Sequence, residues 1–159
     1  MSDSSEIKPR PPKRSRKVDQ TRLADVVGYR LRLAQLAVFR DFLNTFESMG
    51  INPVHYSMLR LIDANPGLRQ GELARALGIK RANMVALING LEERGLAIRK
   101  PVANDRRSYS IFLTDEGQAF NREMQQAWFS HEQRMVDRLG GDAEKRTLIA
   151  LLDRIAGLP

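Results

Sequence analysis

LEERGLAIRKPVANDRRSYSIFLTDEG, Leu91 to Gly117, changes its hydrophobic period twice. Leu91 closes a helical stripe, Gly95 ends that helix, and Leu96 to Val102 reads as a strand. Ala103 to Arg107 forms a polar tip, and Ser108 to Leu113 returns with Tyr109, Ile111 and Leu113 on one face. Thr114 is then a natural N-cap, and Asp115 and Glu116 suit the positive end of the next helix. A hairpin between two helices, with an acid and two adjacent arginines at its tip, is the feature on which the fold turns. Any hairpin needs a solvated tip and Asn-Asp is ordinary turn chemistry, so the flanking sequence decides its meaning.

Upstream, three short helical segments are predicted: roughly Pro53 to Ala64, Arg69 to Leu77 and Arg81 to Arg94. Asn65-Pro66-Gly67 and Gly78-Ile79-Lys80 are the turns between them. Two short helices joined by a Gly-containing turn of three or four residues are the helix-turn-helix signature. In the second of that pair, Met84, Leu87, Ile88 and Leu91 fall on one face and pack inward. The opposite face carries Arg81, Ala82, Asn83, Val85, Ala86, Asn89 and Gly90, small and lightly charged, and can lie flat against another molecule.

Further out, Thr21 to Met49 reads as one long helix whose apolar positions exceed a single stripe, ended by Gly50 with Pro53 beyond. Such a helix meets more than its own small domain, which points to a partner chain. Phe120, Met124, Ala127, Trp128, His131 and Met135 give the helix after the hairpin near-heptad spacing. After Gly140-Gly141 a last helix starts at Asp142, with Leu148, Leu151, Leu152 and Ile155 apolar. The expected organisation is a disordered basic arm (1–20), a long N-terminal helix that meets a partner chain (21–49), a domain of helix-turn-helix and hairpin (50–114) and C-terminal helices (115–159). The fold class is mainly α with a small β-hairpin wing.

The formal charge of +7 is unevenly placed. Residues 1–20 carry six basic and three acidic side chains, residues 69–109 carry nine and four, and the remainder is balanced at eleven and twelve. A localised basic excess is the footprint of a polyanion, although a solvated Lys/Arg face also produces one. The arm, with KPRPPKRSRK at its centre, is either a solubilising tail or a phosphate-touching extension. No window approaches the roughly 18 apolar residues of a membrane span, and no secretory h-region is present, so a cytoplasmic protein without membrane partners is expected. Zero cysteines exclude disulfides and thiolate metal sites, and two histidines give no metal or cofactor site. No phosphate loop, nucleophile elbow or paired-carboxylate arrangement supports an enzyme, and no catalytic residue is assigned. His131, in the apolar register of its helix, reads as a satisfied interface histidine.

A helix-turn-helix followed at once by a basic-tipped hairpin is a winged helix. Leu91 to Gly117 resembles the MarR family of bacterial transcriptional regulators. In that family the wing carries an Asp-x-Arg tip and a Leu-Thr-x-x-Gly exit into a long dimerisation helix. Here these are Asp105-Arg106-Arg107 and Leu113-Thr114-Asp115-Glu116-Gly117. The element order matches from about residue 21 to 157. The resemblance implies a homodimeric repressor on a pseudo-palindromic double-stranded operator. Its recognition helix would present Lys80, Arg81, Ala82, Asn83, Val85, Ala86 and Asn89 to the major groove, and Arg107 would enter the minor groove. Arg81 and Asn83 can reach base edges, Ala82, Val85 and Ala86 can meet thymine methyls, and arginine suits a narrow minor groove. Asp105 can brace the Arg107 guanidinium or serve as a turn residue, and Arg106 is better placed for a phosphate. The resemblance also implies an effector, an aromatic carboxylate, phenol or acyl thioester, held near the junction of the first two helices, where Arg30, Phe39, Phe42, His55 and Tyr56 are candidates. A different reading is a winged-helix protein-interaction module without specific DNA binding, since fold alone does not fix function.

Overall fold

The computed structural model describes residues 18–102 and 105–158, and of Asp105 to Ser108 only the backbone. The described residues divide into two units, one ending at Ala34 and the other beginning at Gln35. In the first, Thr21 to Leu23 forms a 3-10 turn whose start is held by the Asp19 carboxylate accepting the Thr21 N–H at 2.9 Å. Helix α1 (Val27–Phe46) begins only after this turn. The single helix expected from Thr21 to Met49 is therefore interrupted at 24–26, and a second 3-10 turn, Glu47–Met49, closes it. Asp19 competes locally for backbone N–H groups, and Gly28 in the first turn of α1 is a weak helix former. Gly50 ends the second turn in the left-handed conformation, φ 60°.

The second unit contains α2 (Pro53–Ala64), α3 (Gln70–Ala76), α4 (Arg81–Glu93), α5 (Asp115–Leu139) and α6 (Asp142–Ala156). Asn52 caps α2 by accepting the His55 N–H at 2.9 Å, with Pro53 in the first turn, where its missing donor costs nothing. The sheet is three-stranded and antiparallel, in the order β1 (Leu68–Arg69), β3 (Asp105–Leu113), β2 (Ala97–Val102). A two-stranded hairpin was expected; β1 adds an edge by pairing Leu68 with Ile111 and Arg69 with Ser110. The expected tip, Ala103 to Arg107, is in part strand: β3 begins at Asp105, opposite Val102, but the register shifts between Pro101 and Val102, so the regular pairing with β2 runs only from Tyr109 to Leu113. Ala103 and Asn104 lie outside the described residues, as does most of the basic arm.

One core organises this unit: Phe46, Met58, Leu59, Ile62, Leu73, Met84, Ile88, Leu91, Ile111 and Met124 are all within 1% of full burial. The inward stripe of α4 thus fixes its opposite face outward. Thr114 locks the exit from the wing, its Oγ1 accepting the Gly117 N–H at 2.9 Å and donating to the Gly95 carbonyl at 2.5 Å. No described helix is long and apolar enough to cross a membrane.

Candidate nucleic-acid interface and effector cavity

On α4 the helical repeat sends Met84, Ile88 and Leu91 into the core and leaves Lys80, Arg81, Ala82, Asn83, Val85, Ala86 and Asn89 exposed. All seven residues chosen from the sequence share the outer surface of α4 and its N-cap. The wing is tied to this helix by Arg99 of β2. Its backbone N–H donates to Glu92 Oε1 at 2.8 Å, its Nη1 pairs with Glu92 Oε2, and its Nη2 donates to the Val85 carbonyl at 3.3 Å. Lys100 stands over the Phe112 ring at 5.0 Å. The side chains of Asp105, Arg106 and Arg107 lie outside the described residues; their backbone forms the first three residues of β3.

Beside the N-terminus of α4 lies a cleft of about 410 Å³, lined by Arg69, Arg75, Arg81 and Tyr109 together with Gln70, Gly71 and Glu72. A Cβ on Gly71 would stand 3.3 Å from Arg81 Nη2, so the glycine leaves room for that guanidinium. Glu72 is occupied in accepting the Arg69 N–H at 2.8 Å. Three guanidinium groups around one concavity, with a tyrosine from the wing, match a phosphate more closely than any neutral ligand. None of Arg69, Arg75 and Tyr109 is among the contact residues expected from the sequence, where Tyr109 figures only as one face of the returning strand. The basic excess of 69–109 contained the signal, but only the fold brings positions from β1, α3, α4 and β3 together.

A second cavity, about 400 Å³, opens where α1 meets α2, lined by Leu43, Asn44, Phe46, Glu47, Gly50, Ile51, Asn52 and His55. His55 Nδ1 is buried without a hydrogen-bond partner among the described residues. Burial, and then the charge of Arg94, push the imidazole below its ordinary pKa, so it is neutral near pH 7. Phe42 and Tyr56 pack on Phe46 with centroids 4.3 and 5.7 Å away, and Trp128 lies nearly parallel to Tyr56 at 6.5 Å. Burial, which outweighs the opposing charge of Arg60, and the nearby Glu132 push the Tyr56 hydroxyl up to about 12. Of the five effector candidates, His55 lines this cavity, and Phe42 and Tyr56 form its aromatic backing. Phe39 is 41% exposed and outside the lining, and Arg30, in the first unit, donates from Nε to the Ala24 carbonyl.

Asp41 of α1 gathers α5. Its carboxylate accepts from Arg134 Nε and Nη2 (3.1 and 2.8 Å), meets His131 Nδ1 at 2.8 Å, and accepts from Arg138 Nη2 at 3.0 Å. Hydrogen bonding to Arg134 holds its pKa down at about 2, against the opposing effect of burial. His131 is thus satisfied within its own chain. Leu36, Phe39, Leu43, Phe129, Ile149, Leu151, Ile155 and Leu158 of the same unit remain exposed, as do Leu23, Val26, Val27 and Leu33 of the first. That much exposed apolar surface marks an association surface.

An outward recognition face braced against a basic wing defines a winged helix-turn-helix protein of the DNA-binding type. Sequence comparison narrows the class: a model of the MarR family matches residues 49–108. A protein of Thauera aromatica bearing the name of a transcriptional regulatory protein for the hcr operon is 40% identical over 134 residues, 84% of this chain and 80% of that one. Among solved structures, the transcriptional repressor CouR bound to a 23-mer DNA duplex superposes with a TM-score of 0.84 at 39% identity, covering 89% of this chain and 99% of that one. CouR bound to p-coumaroyl-CoA gives 0.81 at 36%, covering 88% and 98%. The chain belongs to the MarR family. It is a transcriptional regulator, not an enzyme, of a family that typically acts as dimers.

Proposed function

We propose that this protein is a cytoplasmic repressor that binds a pseudo-palindromic operator as a homodimer and releases it when an aromatic acyl-CoA thioester occupies the α1–α2 cavity. The observation that carries the DNA half is the uniformly exposed face of α4 beside the arginine cleft. In this reading Asn83 and Asn89 face base edges, Ala82, Val85 and Ala86 face thymine methyls, and Arg81, on the cleft wall, lies between the groove and the phosphates. Lys80, Arg69 and Arg75 hold phosphates, and Arg107, braced by Asp105, reads the minor groove. The segments 21–49 and 115–159 cover each other's exposed apolar surface in the dimer. The ligand half is supported by a cavity of about 400 Å³, within the roughly 300–1,000 Å³ of small-molecule sites, with Leu43, Phe46 and Ile51 beside the polar Asn44, Glu47, Asn52 and His55. His55 Nδ1 offers that ligand a hydrogen-bonding atom. Solved structures of CouR, at 36–39% identity, hold it bound to a DNA duplex and bound to p-coumaroyl-CoA.

Two substitutions separate groove reading from bulk attraction. Arg107→Ala should leave the melting temperature unchanged and weaken operator binding by about 1–3 kcal/mol, the size of a good groove contact. Arg106→Ala should weaken operator and random duplex alike and flatten the salt dependence by about one unit per protomer. Fluorescence anisotropy at several salt concentrations reads both. For the ligand half, saturating p-coumaroyl-CoA should raise the melting temperature and weaken operator binding at least about tenfold, a coupling of about 1.4 kcal/mol. An acyl-CoA that stabilises the protein yet leaves operator affinity unchanged would remove the regulatory half.

A further inference from the structure

Arg94 is the C-cap of the recognition helix α4, and its guanidinium is committed elsewhere. Nη1 donates to the Gly50 carbonyl at 2.9 Å and Nη2 to the Met49 carbonyl at 3.0 Å, some 44 residues back along the chain. The same guanidinium stands 5.2 Å from the Phe120 ring centroid on α5. Met49 and Gly50 close the turn after α1, so their carbonyls have no helical partner and carry the negative end of that turn. The planar fork of arginine satisfies both with charge-assisted bonds; lysine, with a single ammonium, matches this geometry poorly. Gly50 lines the α1–α2 cavity, as does His55, whose imidazole feels the Arg94 charge. One side chain therefore joins the cavity wall, the end of the recognition helix and the long helix α5.

We propose that Arg94 is the positioning residue through which occupancy of the α1–α2 cavity reaches the recognition helix. The inference rests on the functional reading above. A ligand shifts DNA binding only if it favours one placement of the cavity wall over another, and the wall must then be coupled to α4. Because Arg94 is bonded to both the Met49 and the Gly50 carbonyl, displacing that turn carries the guanidinium with it and tilts the C-terminal end of α4. In a purely capping role, Arg94 would add stability without changing how the two ligands affect one another.

The test measures operator affinity of the full-length protein by anisotropy, with and without saturating p-coumaroyl-CoA, in the parent, Arg94→Gln and Arg94→Lys. The parent should lose at least about tenfold affinity on adding ligand. Arg94→Gln should bind operator alone and ligand alone within about threefold of the parent, while the effect of ligand on operator falls to twofold or less. Arg94→Lys should fall between, since it keeps the charge but not the fork; if Arg94→Gln does not fold, this variant carries the test. Full retention of the ligand effect in a folded Arg94 variant overturns the proposal. A parent whose operator affinity ignores a bound ligand overturns the functional reading, and this inference with it.

Discussion

Gly117→Ala is expected to destabilise the protein by about 3 kcal/mol or more, beyond the usual cost of overpacking. A Cβ built at Gly117 would lie 1.9 Å from the Leu96 carbonyl oxygen and 2.8 Å from its carbon. Both obstacles are backbone, so no rotamer relieves them. The first turn of α5 and the start of β2 would have to separate, breaking the Thr114 N–H bond to Leu96 O at 3.3 Å and the cap between Thr114 and Gly117. The wing would lose its fixed exit, so operator affinity should fall with stability. Calorimetric melting checks this, with the exposed neighbour Gln118→Ala as a near-neutral control. A Gly117→Ala protein melting within about 2 °C of the parent would mean that this packing is not as tight as described.

Asp41→Ala is expected to cost about 2–3 kcal/mol. Removing one partner of a fully buried ion pair costs roughly 3–5 kcal/mol, and the half-exposed Arg134 and Arg138 lower that figure through solvent screening. The residue most affected is His131, buried at 5% exposure and facing Asp41. For a chain of this size the loss corresponds to roughly 5–10 °C in Tm. Because the Asp41 pKa is lowered on folding from 3.8 to about 2, its contribution is fully present above pH 4 and is lost as pH falls through about 2. Asp41→Asn should therefore melt lower than the parent at pH 6, and the difference should shrink as both are titrated toward pH 2. A gap independent of pH would show that the carboxylate charge is not what holds α1 to α5.

The parts of this fold that could be read in advance are those governed by local periodicity. The change from a helical to an alternating pattern at Gly95, and back at Thr114, locates the wing, and the stripe from Met84 to Leu91 orients α4. Long-range geometry was hidden. Two residues, Leu68 and Arg69, are too short a run to read as a strand until Ile111 and Ser110 pair with them. The Leu-Thr-x-x-Gly exit could be matched as a pattern, but its reason, the Leu96 carbonyl against Gly117, depends on a contact across the wing. Likewise Asp41 meets partners some 90 residues away, and the arginine cleft draws on four elements. Aromatic residues at the α1–α2 junction were legible as a group. Which of them faces space and which faces core was not, because both kinds share the same apolar positions: Phe46 lines the cavity while Phe42 backs it.

Selection from a random duplex library with the full-length protein near 0.15 M salt shows whether the protein reads one DNA sequence as a dimer. A dimeric operator-binding protein enriches a pseudo-palindrome with half-sites about 10 bp apart, or a multiple of that, and binds it at least about a thousandfold tighter than a shuffled duplex of the same composition. Recovery of no common sequence, or equal affinity for the selected and shuffled duplexes, would contradict operator binding and leave the winged domain as a protein-interaction module.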